Sequence, residues 1–316
     1  MSLRDKLLQA LEGGSAHALS GQKLARQLGV SRTAVWKQIK TLRRLGLPLE
    51  RAGRDGYRQC APLDGTLARY RGPAWTTPHY FLSTASTQAL AKAGAAAGLP
   101  EGHLWITETQ TKGRGRLDRL WESAYGGLWF SLLLRPKLSP ARVAPITLLA
   151  GLALRQAVCQ ACAVDFRLKW PNDLLVLVGG RWKKCAGTLT EMSGQMERTE
   201  WVVIGVGVNV NNVLSADLSA RAASLYSLTG RTWPRAEILD AFLTRFRAAY
   251  ARFSSQGFAP FRDLYWAHYA APGEPVCLKT AEGDVRGRAV GVDTHGAIMI
   301  ESRRKTRAFH EGEIVL

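Results

Sequence analysis

Glycine and arginine alternate from Gly113 to Arg116, in the segment QTKGRGR that begins at Gln110. Glycine lets a backbone approach a ligand closely, and arginine offers planar donors to a carboxylate or a phosphate. The segment lacks the final Gly-Lys-Ser/Thr of common phosphate-binding loops. It therefore predicts a basic loop over an anionic ligand, although a flexible surface loop or a nucleic-acid-binding loop would also explain the segment on its own.

Three further segments place polar groups along predicted strands. In KWPND (169–173) a lysine ends a strand and would put a cation at a pocket edge, although a solvated lysine beside a core tryptophan is the alternative. Lys184 to Gly187, KCAG, opens another strand. In GVGVNVN (205–211) small residues alternate and leave room for a ligand on one face, where Asn209 can donate and accept hydrogen bonds.

The elements that would position these segments follow from hydrophobic patterning. Strand-like runs lie at 79–83, 103–108, 127–136, 166–170, 173–178, 185–192 and 199–210. Helical patterns lie at 87–97, 141–163 and 235–253. This mixture predicts an α+β domain with a mixed or largely antiparallel sheet.

The first sixty residues are strongly basic, with 12 Lys/Arg against 4 Asp/Glu in a chain of net charge +18. Ser20 and Ser31 can each cap a short helix, and Gly29 suits the tight turn between the two helices. This order predicts a helix-turn-helix, and the stretch 47–58 with its Asp55-Gly56 turn signal predicts a two-stranded wing. A polyanionic partner, DNA, fits the charge, and a helical hairpin for protein docking is the alternative.

The second of these helices would point Val35, Ile39 and Leu42 inward. We expect its outward residues to bind DNA, and these are Arg32, Thr33, Trp36, Lys37 and Lys40. The lysines would mostly supply phosphate affinity, whereas Arg32, Thr33 and Trp36 would read bases. Basic residues of the wing would lie near phosphates, and these are Arg51, Arg54 and Arg58.

Composition excludes several other classes of protein. No run approaches the roughly 18 to 20 apolar residues of a membrane span, and the first residues lack the pattern of a signal peptide, so we expect a cytoplasmic protein without a membrane partner. Five scattered cysteines argue against a disulfide framework. Cys159 and Cys162 form a C-x-x-C in a helical run, which favours buried thiols over a redox or metal site.

Taken in order, these segments resemble biotin–protein ligases. The matching pieces are Ser86-Thr87, QTKGRGR with Trp121 after it, KWPNDLL, KKCAGTL-x-E and GVGVN. The helix-turn-helix extends the resemblance to the bifunctional bacterial type, which also represses biotin synthesis genes. The implied fold is multidomain α+β: a winged helix-turn-helix (1–62), a catalytic domain with a class II-synthetase-like mixed or antiparallel sheet (63–270) and a small C-terminal β-barrel (271–316).

The resemblance implies a two-step reaction that uses ATP, biotin and magnesium. Biotin is first adenylated to biotinyl-5′-AMP and is then transferred to a lysine of the biotin carboxyl carrier protein of acetyl-CoA carboxylase. The adenylate would also be the corepressor, favouring a homodimer that binds operator DNA. No residue is assigned to a metal.

Site roles follow from the matched positions. Catalysis is expected of Arg116 and Lys169. The residues expected to bind biotin are Ser86, Thr87, Gln88, Gln110, Arg114, Gly115, Arg116 and Lys169. The residues expected near the nucleotide are Gly113, Lys184, Gly187 and Asn209.

Two positions depart from the family pattern. Gln88 stands where the family often has asparagine, and Leu117-Asp118 interrupts a loop that usually continues with glycine and arginine. The second departure keeps one alternative open, a biotin-sensing transcription factor with weak or no ligase activity. A lipoate–protein ligase is a further alternative with the same fold, but those enzymes lack the winged helix-turn-helix.

Overall fold

The computed structural model describes residues 3–12, 19–44, 47, 49–53, 56–59, 64–195, 197–303 and 305–316. The N-terminal elements are α1 (Leu3–Glu12), β1 (Leu19–Ser20), α2 (Gly21–Leu28), α3 (Arg32–Arg44), β2 (Leu49–Ala52) and β3 (Gly56–Gln59). Ser20 Oγ accepts from Lys23 N at 3.0 Å and Ser31 Oγ accepts from Ala34 N at 3.1 Å, so both predicted caps are present. Gly29 ends α2 with φ 67°.

The core of this domain is the predicted one. Val35, Ile39 and Leu42 of α3 are buried, and the three strands form a sheet in the order β1–β3–β2. All five α3 residues expected to face DNA are exposed. Arg51 is exposed on β2, whereas Arg54 lies outside the described residues.

The central domain is a seven-stranded sheet with helices, which confirms the α+β prediction. Its strands are β4 (Thr77–Thr84), β5 (His103–Gln110), β6 (Leu128–Leu134), β7 (Phe166–Lys169), β8 (Asp173–Val178), β9 (Arg181–Gln195) and β10 (Arg198–Val208). Their order is β4–β5–β6–β10–β9–β8–β7. Only β4 and β5 pair in parallel among the described strands of this sheet, so it is mixed but largely antiparallel.

The helices of this domain are α4 (Thr87–Ala96), α5 (Pro140–Val143), α6 (Ile146–Ala161), α7 (Ala216–Ser219), α8 (Leu225–Thr229), α9 (Arg235–Gln256) and α10 (Arg262–Ala267). The single helix predicted over 141–163 is divided between α5 and α6, because Pro145 has no N–H to continue the first helix. Pro140–Ala161 is long and apolar enough to cross a membrane, but 67% of its most apolar window is buried in the protein. It is a core helix.

The two faces of the sheet differ. On one face α6 and α9 cover a continuous apolar core that includes Phe130, Ile204 and Phe242. On the other face α4 packs on a small cluster around Trp105 and Val203, and the remaining surface of that face is left open.

The C-terminal strands are β11 (Pro275–Thr280), β12 (Gly283–Val292), β13 (Ile298–Ser302), β14 (Lys305–Phe309) and β15 (Glu313–Val315). They form one sheet in the order β14–β13–β12–β11–β15. Within the described residues the two edge strands do not pair with each other, so the predicted barrel is not confirmed. Trp170 Nε1 donates to Gly296 O at 3.0 Å and ties this sheet to the end of β7.

Candidate active site

A cavity of about 560 Å³ lies on the open face of the central sheet. It is in the size range of small-molecule sites. Eleven residues predicted for biotin or nucleotide line it: Ser86, Thr87, Gln88, Gln110, Arg114, Gly115, Arg116, Lys169, Lys184, Gly187 and Asn209. Gly113 does not line the cavity. A Cβ at this position would collide with Trp121 O.

Glycines on the strands beneath the cavity leave space for it, as the alternation of small residues in GVGVN predicted. Gly205 and Gly207 of β10 both line it, and Gly207 pairs across the sheet with Gly187 of β9. A Cβ on Gly207 would lie 2.7 Å from the Trp121 indole, and one on Gly205 would lie 2.5 Å from Gln88 Oε1. Side chains at these strand positions would fill the space that the ligand needs.

The floor of the cavity is a hydrogen-bonded set of uncharged side chains. Gln110 Oε1 accepts from Thr87 N at 2.8 Å, and Gln110 Nε2 donates to Ser123 Oγ at 2.8 Å. Thr87 Oγ1 lies 2.9 Å from Ser131 Oγ, and Ser131 Oγ donates to Gln88 Oε1 at 3.0 Å. These groups come from α4, β5, β6 and the end of the basic loop 113–123, which we call the ligand loop.

The hydroxyl protons of this floor are already used in hydrogen bonds within the protein. The one proton of Ser131 goes to Gln88 Oε1, which has none. The one proton of Thr87 goes to Ser131 Oγ at 2.9 Å or to Gln110 Oε1 at 3.2 Å. Both hydroxyls therefore present only lone pairs to the cavity.

Donors stand beside these acceptors. Gln110 Nε2 keeps one N–H after its bond to Ser123. Ser86 Oγ accepts from Ala89 N at 3.4 Å as the cap of α4, so it keeps its own proton. The floor therefore suits a neutral planar head that carries N–H donors next to a carbonyl.

Gln88 was predicted to contact the ligand directly, but both ends of its side-chain amide already have partners within the protein. Its Nε2 lies 3.4 Å from Leu189 O and 3.3 Å from Val203 O, and its Oε1 accepts from Ser131. The extra carbon relative to asparagine lets the amide span from α4 to the carbonyls of β9 and β10. We expect Gln88 to hold Ser131 in place as well as to line the cavity.

A group of charges occupies another part of the same cavity. Lys184 Nζ lies 2.6 Å from Asp173 Oδ1, and Lys169 Nζ lies 3.7 Å from Asp173 Oδ2. Lys184 Nζ also lies 4.9 Å from the centre of the Trp121 ring. One carboxylate thus holds two lysines, and Arg116 adds a further cation to the lining. Positive charge exceeds negative charge here, as an anionic ligand requires.

The ligand loop is a short hairpin. Gly115 N donates to Arg119 O at 2.8 Å, and Trp121 N donates to Gly113 O at 3.0 Å. Leu117 and Asp118 form its tip with φ 55° and 54°. Such backbone suits glycine, and each other residue held there costs about 1–2 kcal/mol. The departure from the family pattern therefore falls at two strained positions.

The C-terminal sheet holds this loop from outside. Arg116 Nη2 donates to Gly312 O at 2.9 Å, and Arg116 Nη1 donates to Asn172 Oδ1 at 3.3 Å. Arg119 makes two bonds of 2.7 Å to the carboxylate of Glu313. Hydrogen bonding from Arg119 lowers the pKa of Glu313. The pair therefore contributes most above the ordinary pKa of a glutamate, and its contribution is lost as pH falls through the lowered pKa.

Replacing Glu313 with glutamine is expected to loosen the loop at neutral pH. An exposed ion pair contributes about 0.2–1 kcal/mol, so release of a ligand held under the loop should quicken by up to about fivefold. Stopped-flow release of biotin, the ligand expected from the sequence, measures this rate. The matched control is Glu311→Gln, an exposed glutamate next to Gly312. Equal release rates in both variants and the unmodified protein would show that the pair does not hold the loop.

Sequence reasoning missed several of these residues. Ser131 stands in the apolar run of β6 and carries no motif, and Ser123 follows Trp121 without a distinctive neighbour. Asp173 was given no role within KWPND, although its position four residues after Lys169 is visible in the sequence. Arg119 pairs with a residue 194 positions away, which no local pattern shows.

A second candidate surface lies on the N-terminal domain. Trp36 of α3 is 45% exposed, and Lys40 Nζ lies 5.1 Å from its ring centre. Arg32, Thr33 and Trp36 line a shallow depression together with Arg51 of β2. Arg32, Thr33 and Trp36 of α3 and Arg51 of the predicted wing therefore lie together on one exposed face, with Lys40 beside Trp36.

Comparison with known families agrees with these features. The Biotin/lipoate A/B protein ligase family matches residues 80–209, the HTH domain matches residues 4–58, and the Biotin protein ligase C terminal domain matches residues 273–316. The fold and the site thus define a protein ligase of the biotin/lipoate class joined to a helix-turn-helix domain.

Individual relatives narrow the class. The bifunctional ligase/repressor BirA of Bacillus subtilis is 34% identical over 325 residues, covering 100% of this chain and 99% of the relative. BirA of Escherichia coli is 28% identical and covers 98% of this chain and 96% of the relative. The chain belongs to the family of bifunctional ligase/repressor BirA proteins. The resemblance inferred from the sequence is confirmed.

Solved structures agree with this membership. The biotin protein ligase from Aquifex aeolicus in complex with biotin and ATP superposes with a TM-score of 0.65 at 30% identity, covering 76% of this chain and 97% of that chain.

Proposed function

We propose that this protein activates biotin with ATP to form biotinyl-5′-AMP and transfers biotin to a lysine of a biotin carboxyl carrier protein. The observation that carries this proposal is one cavity that combines a neutral hydrogen-bonding floor with a group of cations. The floor suits the ureido head of biotin, and the cations suit its carboxylate and the phosphates of ATP. Family membership and the ligand-bound Aquifex aeolicus relative support the same assignment.

The polarity of the floor favours biotin over lipoate. The ureido ring has two N–H donors, which match the lone pairs of Thr87 and Ser131, and a carbonyl that accepts from Ser86 and Gln110. The dithiolane head of lipoate has none of these groups, so its binding would leave the floor unpaired. A site built to hydrogen-bond its substrate rejects an analogue that lacks those groups by about 10⁴–10⁵-fold.

Replacing Thr87 with valine tests this floor. Valine keeps the shape but removes an acceptor, so a ureido N–H would lose its partner at a cost of about 1–3 kcal/mol. We expect KM for biotin to rise about ten- to hundredfold and kcat to change little. The control is Thr147→Val, whose hydroxyl pairs with Thr190 at 2.8 Å outside the cavity. An unchanged KM for biotin in Thr87→Val would remove Thr87 from ligand recognition.

The first step joins two anions. A biotin carboxylate oxygen attacks the α-phosphorus, the bond from that phosphorus to the bridging oxygen of the β-phosphate breaks, and pyrophosphate leaves with the electron pair. We assign Lys169 and Arg116 to the oxygens of the carboxylate and the α-phosphate, and Lys184 and Asn209 to the nucleotide side. Holding the reactants together and stabilising the developing charge supply most of the rate.

The second step transfers the acyl group. The carrier lysine, as a free amine, attacks the carbonyl carbon of the mixed anhydride, an amide forms, and AMP leaves while the amine releases a proton to water. The loop over the adenylate limits its hydrolysis before the carrier arrives.

Magnesium would accompany the nucleotide. Within the described residues no group of three or more His, Cys, Asp or Glu side chains could hold a metal ion. Asp173, the carboxylate between the two lysines, is engaged by both of them. We therefore assign no residue to magnesium and route no step through it.

Mass spectrometry of a purified carrier domain tests the reaction. Incubation with the protein, biotin, ATP and magnesium should add one biotin to one lysine, and omission of ATP should prevent the addition. Lipoate in place of biotin should give no product. Tight biotin binding without transfer would instead support the alternative of a biotin-sensing transcription factor.

The exposed basic face of α3 supports a second activity, repression of biotin synthesis genes at operator DNA. We propose that biotinyl-5′-AMP is the corepressor and that it favours a homodimer, because such domains commonly read paired half-sites. This coupling requires the adenylate to bind the dimer better than the monomer. Sedimentation with and without the adenylate measures it, and an unchanged association constant would exclude it.

The finer architecture follows the same proposal. We place the domain boundaries at 1–62, 63–270 and 271–316, with β2 and β3 as the wing. The largely antiparallel central sheet supports the class II-synthetase-like architecture, and the C-terminal sheet is our candidate for the small barrel of such ligases. A cytoplasmic location fits a ligase that must meet both a carrier protein and DNA.

A further inference from the structure

Three charged side chains outside the cavity are almost completely buried. Asp64, Glu108 and Arg235 are 7%, 1% and 0% exposed. Burial removes the hydration of these charges at a cost in free energy. A protein with apolar residues of similar volume in their place is often at least as stable. Their presence points to a role besides packing.

Arg235 is the centre of this group. Its Nε and backbone N donate to Asp64 Oδ2 at 2.9 and 2.8 Å, and its Nη2 donates to Asp64 O. Its Nη1 donates to Glu108 Oε2 at 2.6 Å and to Gly127 O at 2.9 Å. We call Arg235 with Asp64, Glu108 and Gly127 the Arg235 junction.

The junction is connected to two segments that continue into the cavity lining, at Gln110 and at Asn209. Glu108 lies on β5 two residues before Gln110, whose amide lies in the cavity floor. Trp233, two residues before Arg235, exchanges hydrogen bonds of 2.9 and 2.8 Å with the side chain of Asn211, which follows GVGVN. A shift of either segment on ligand binding would therefore act directly on the junction.

The junction also touches the N-terminal domain. Asp64 is the first residue described after the segment that joins the two domains. Tyr125 donates to Asp64 O at 3.4 Å, and the Arg235 guanidinium lies 5.2 Å from the Tyr125 ring centre. Tyr125 and Leu82 belong to the same buried cluster as the apolar residues of α1, α2 and α3.

We propose that the Arg235 junction transmits ligand occupancy of the cavity to the DNA-binding domain. It links β5, the segment at Asn211 that follows GVGVN and the entry of the N-terminal domain through one guanidinium. The inference rests on the proposed ligand-controlled repressor and adds the residues that would couple its two sites.

Asp64→Asn tests the arm toward the DNA-binding domain. Both Asp64 oxygens accept hydrogen bonds, Oδ2 from Arg235 and Oδ1 from Thr66 N at 3.0 Å. An amide replaces one acceptor with a donor and must break one contact. Glu108→Gln tests the arm toward the cavity. The matched control is Asp240→Asn on α9, which accepts from Tyr70 at 3.1 Å.

The measurement uses the full-length protein and a DNA duplex selected from a random library by the unmodified protein with biotin and ATP present. Affinity for this duplex is measured with and without biotin, ATP and magnesium, and carrier biotinylation is measured alongside. The ligand-induced gain in affinity is expected at about 5- to 150-fold in the unmodified protein and in Asp240→Asn. In Asp64→Asn and Glu108→Gln it should fall toward one while biotinylation stays near normal.

The outcomes separate the two proposals. An unchanged gain in both junction variants would overturn the role of the junction and leave the repressor intact. Loss of both the ligand-induced gain in DNA affinity and carrier biotinylation would indicate a general packing defect, and it would also overturn the role of the junction. No gain in the unmodified protein, with biotinylation present, would overturn ligand control of DNA binding itself and the junction with it. Should Asp64→Asn fail to fold, Glu108→Gln alone decides between these results.

Discussion

Replacing Lys169 with alanine is expected to reduce formation of biotinyl-5′-AMP by at least about 10²–10³-fold, because a cation aimed at developing charge in a closed site contributes that much. Lys169 lies at the end of β7, inside the cavity and 3.7 Å from Asp173. Its loss leaves the negative charge of Asp173 beside the incoming anions with one positive charge fewer to offset it. ATP–pyrophosphate exchange in the presence of biotin measures the step.

The matched control is Lys183→Ala. Lys183 lies next to Lys184 but outside the cavity lining, and its Nζ donates to Ser219 O at 2.6 Å. Circular dichroism and thermal unfolding should be unchanged in both variants. Near-normal exchange in Lys169→Ala would remove the lysine from the mechanism. Loss of exchange in Lys183→Ala as well would show that the assay reports charge in general.

Replacing Arg235 with methionine should give the largest change in stability. The variant would leave Asp64 and Glu108 buried without their counter-charge, which costs about 3–5 kcal/mol. For a domain of this size the melting temperature should fall by roughly 6–20 °C. Differential scanning calorimetry of the full chain measures the change.

A triple variant separates charge from packing. Asp64→Asn and Glu108→Gln, added to Arg235→Met, remove the uncompensated charges, so much of the lost melting temperature should return. Arg247→Met is the control on the same helix, because Arg247 is 46% exposed and its pair with Glu101 contributes at most about 1 kcal/mol. A triple variant no more stable than Arg235→Met would show that the cost is not electrostatic.

Much of the fold could be predicted because its signals are local. Ser20, Gly29 and Ser31 set the helix ends of the N-terminal domain through contacts within four residues. The break at Pro145 was also visible in the sequence and was missed, because the apolar pattern continues across it. The barrel that the resemblance implied for the C-terminal strands is not confirmed, and the residues alone could not decide it, since alternation gives the faces of a strand and not the partners of an edge strand.

The candidate site was also predictable only in part. The glycines beneath the cavity followed from alternation along one strand, and eleven of the twelve residues predicted from the ordered motifs line the cavity. The polarity of the floor depends on Thr87, Gln110 and Ser131, which meet only through the register of three separate elements. Arg235 looked like the first residue of an ordinary amphipathic helix, because its charged partners lie more than 100 residues away.

The contacts from Arg116 and Arg119 to the C-terminal sheet also set an order of events during synthesis. Arg116 and Gly312 are separated by 196 positions. At roughly 5–20 residues per second, a ribosome needs about 10–40 s to make that stretch. During this interval the central sheet can form, but the strained hairpin at Leu117 and Asp118 still lacks its contacts to Gly312 and Glu313. In a nascent chain the ligand loop would therefore not yet be held by the C-terminal sheet. We expect the protein to retain biotinyl-5′-AMP fully only after β15 has been made and has paired with β11.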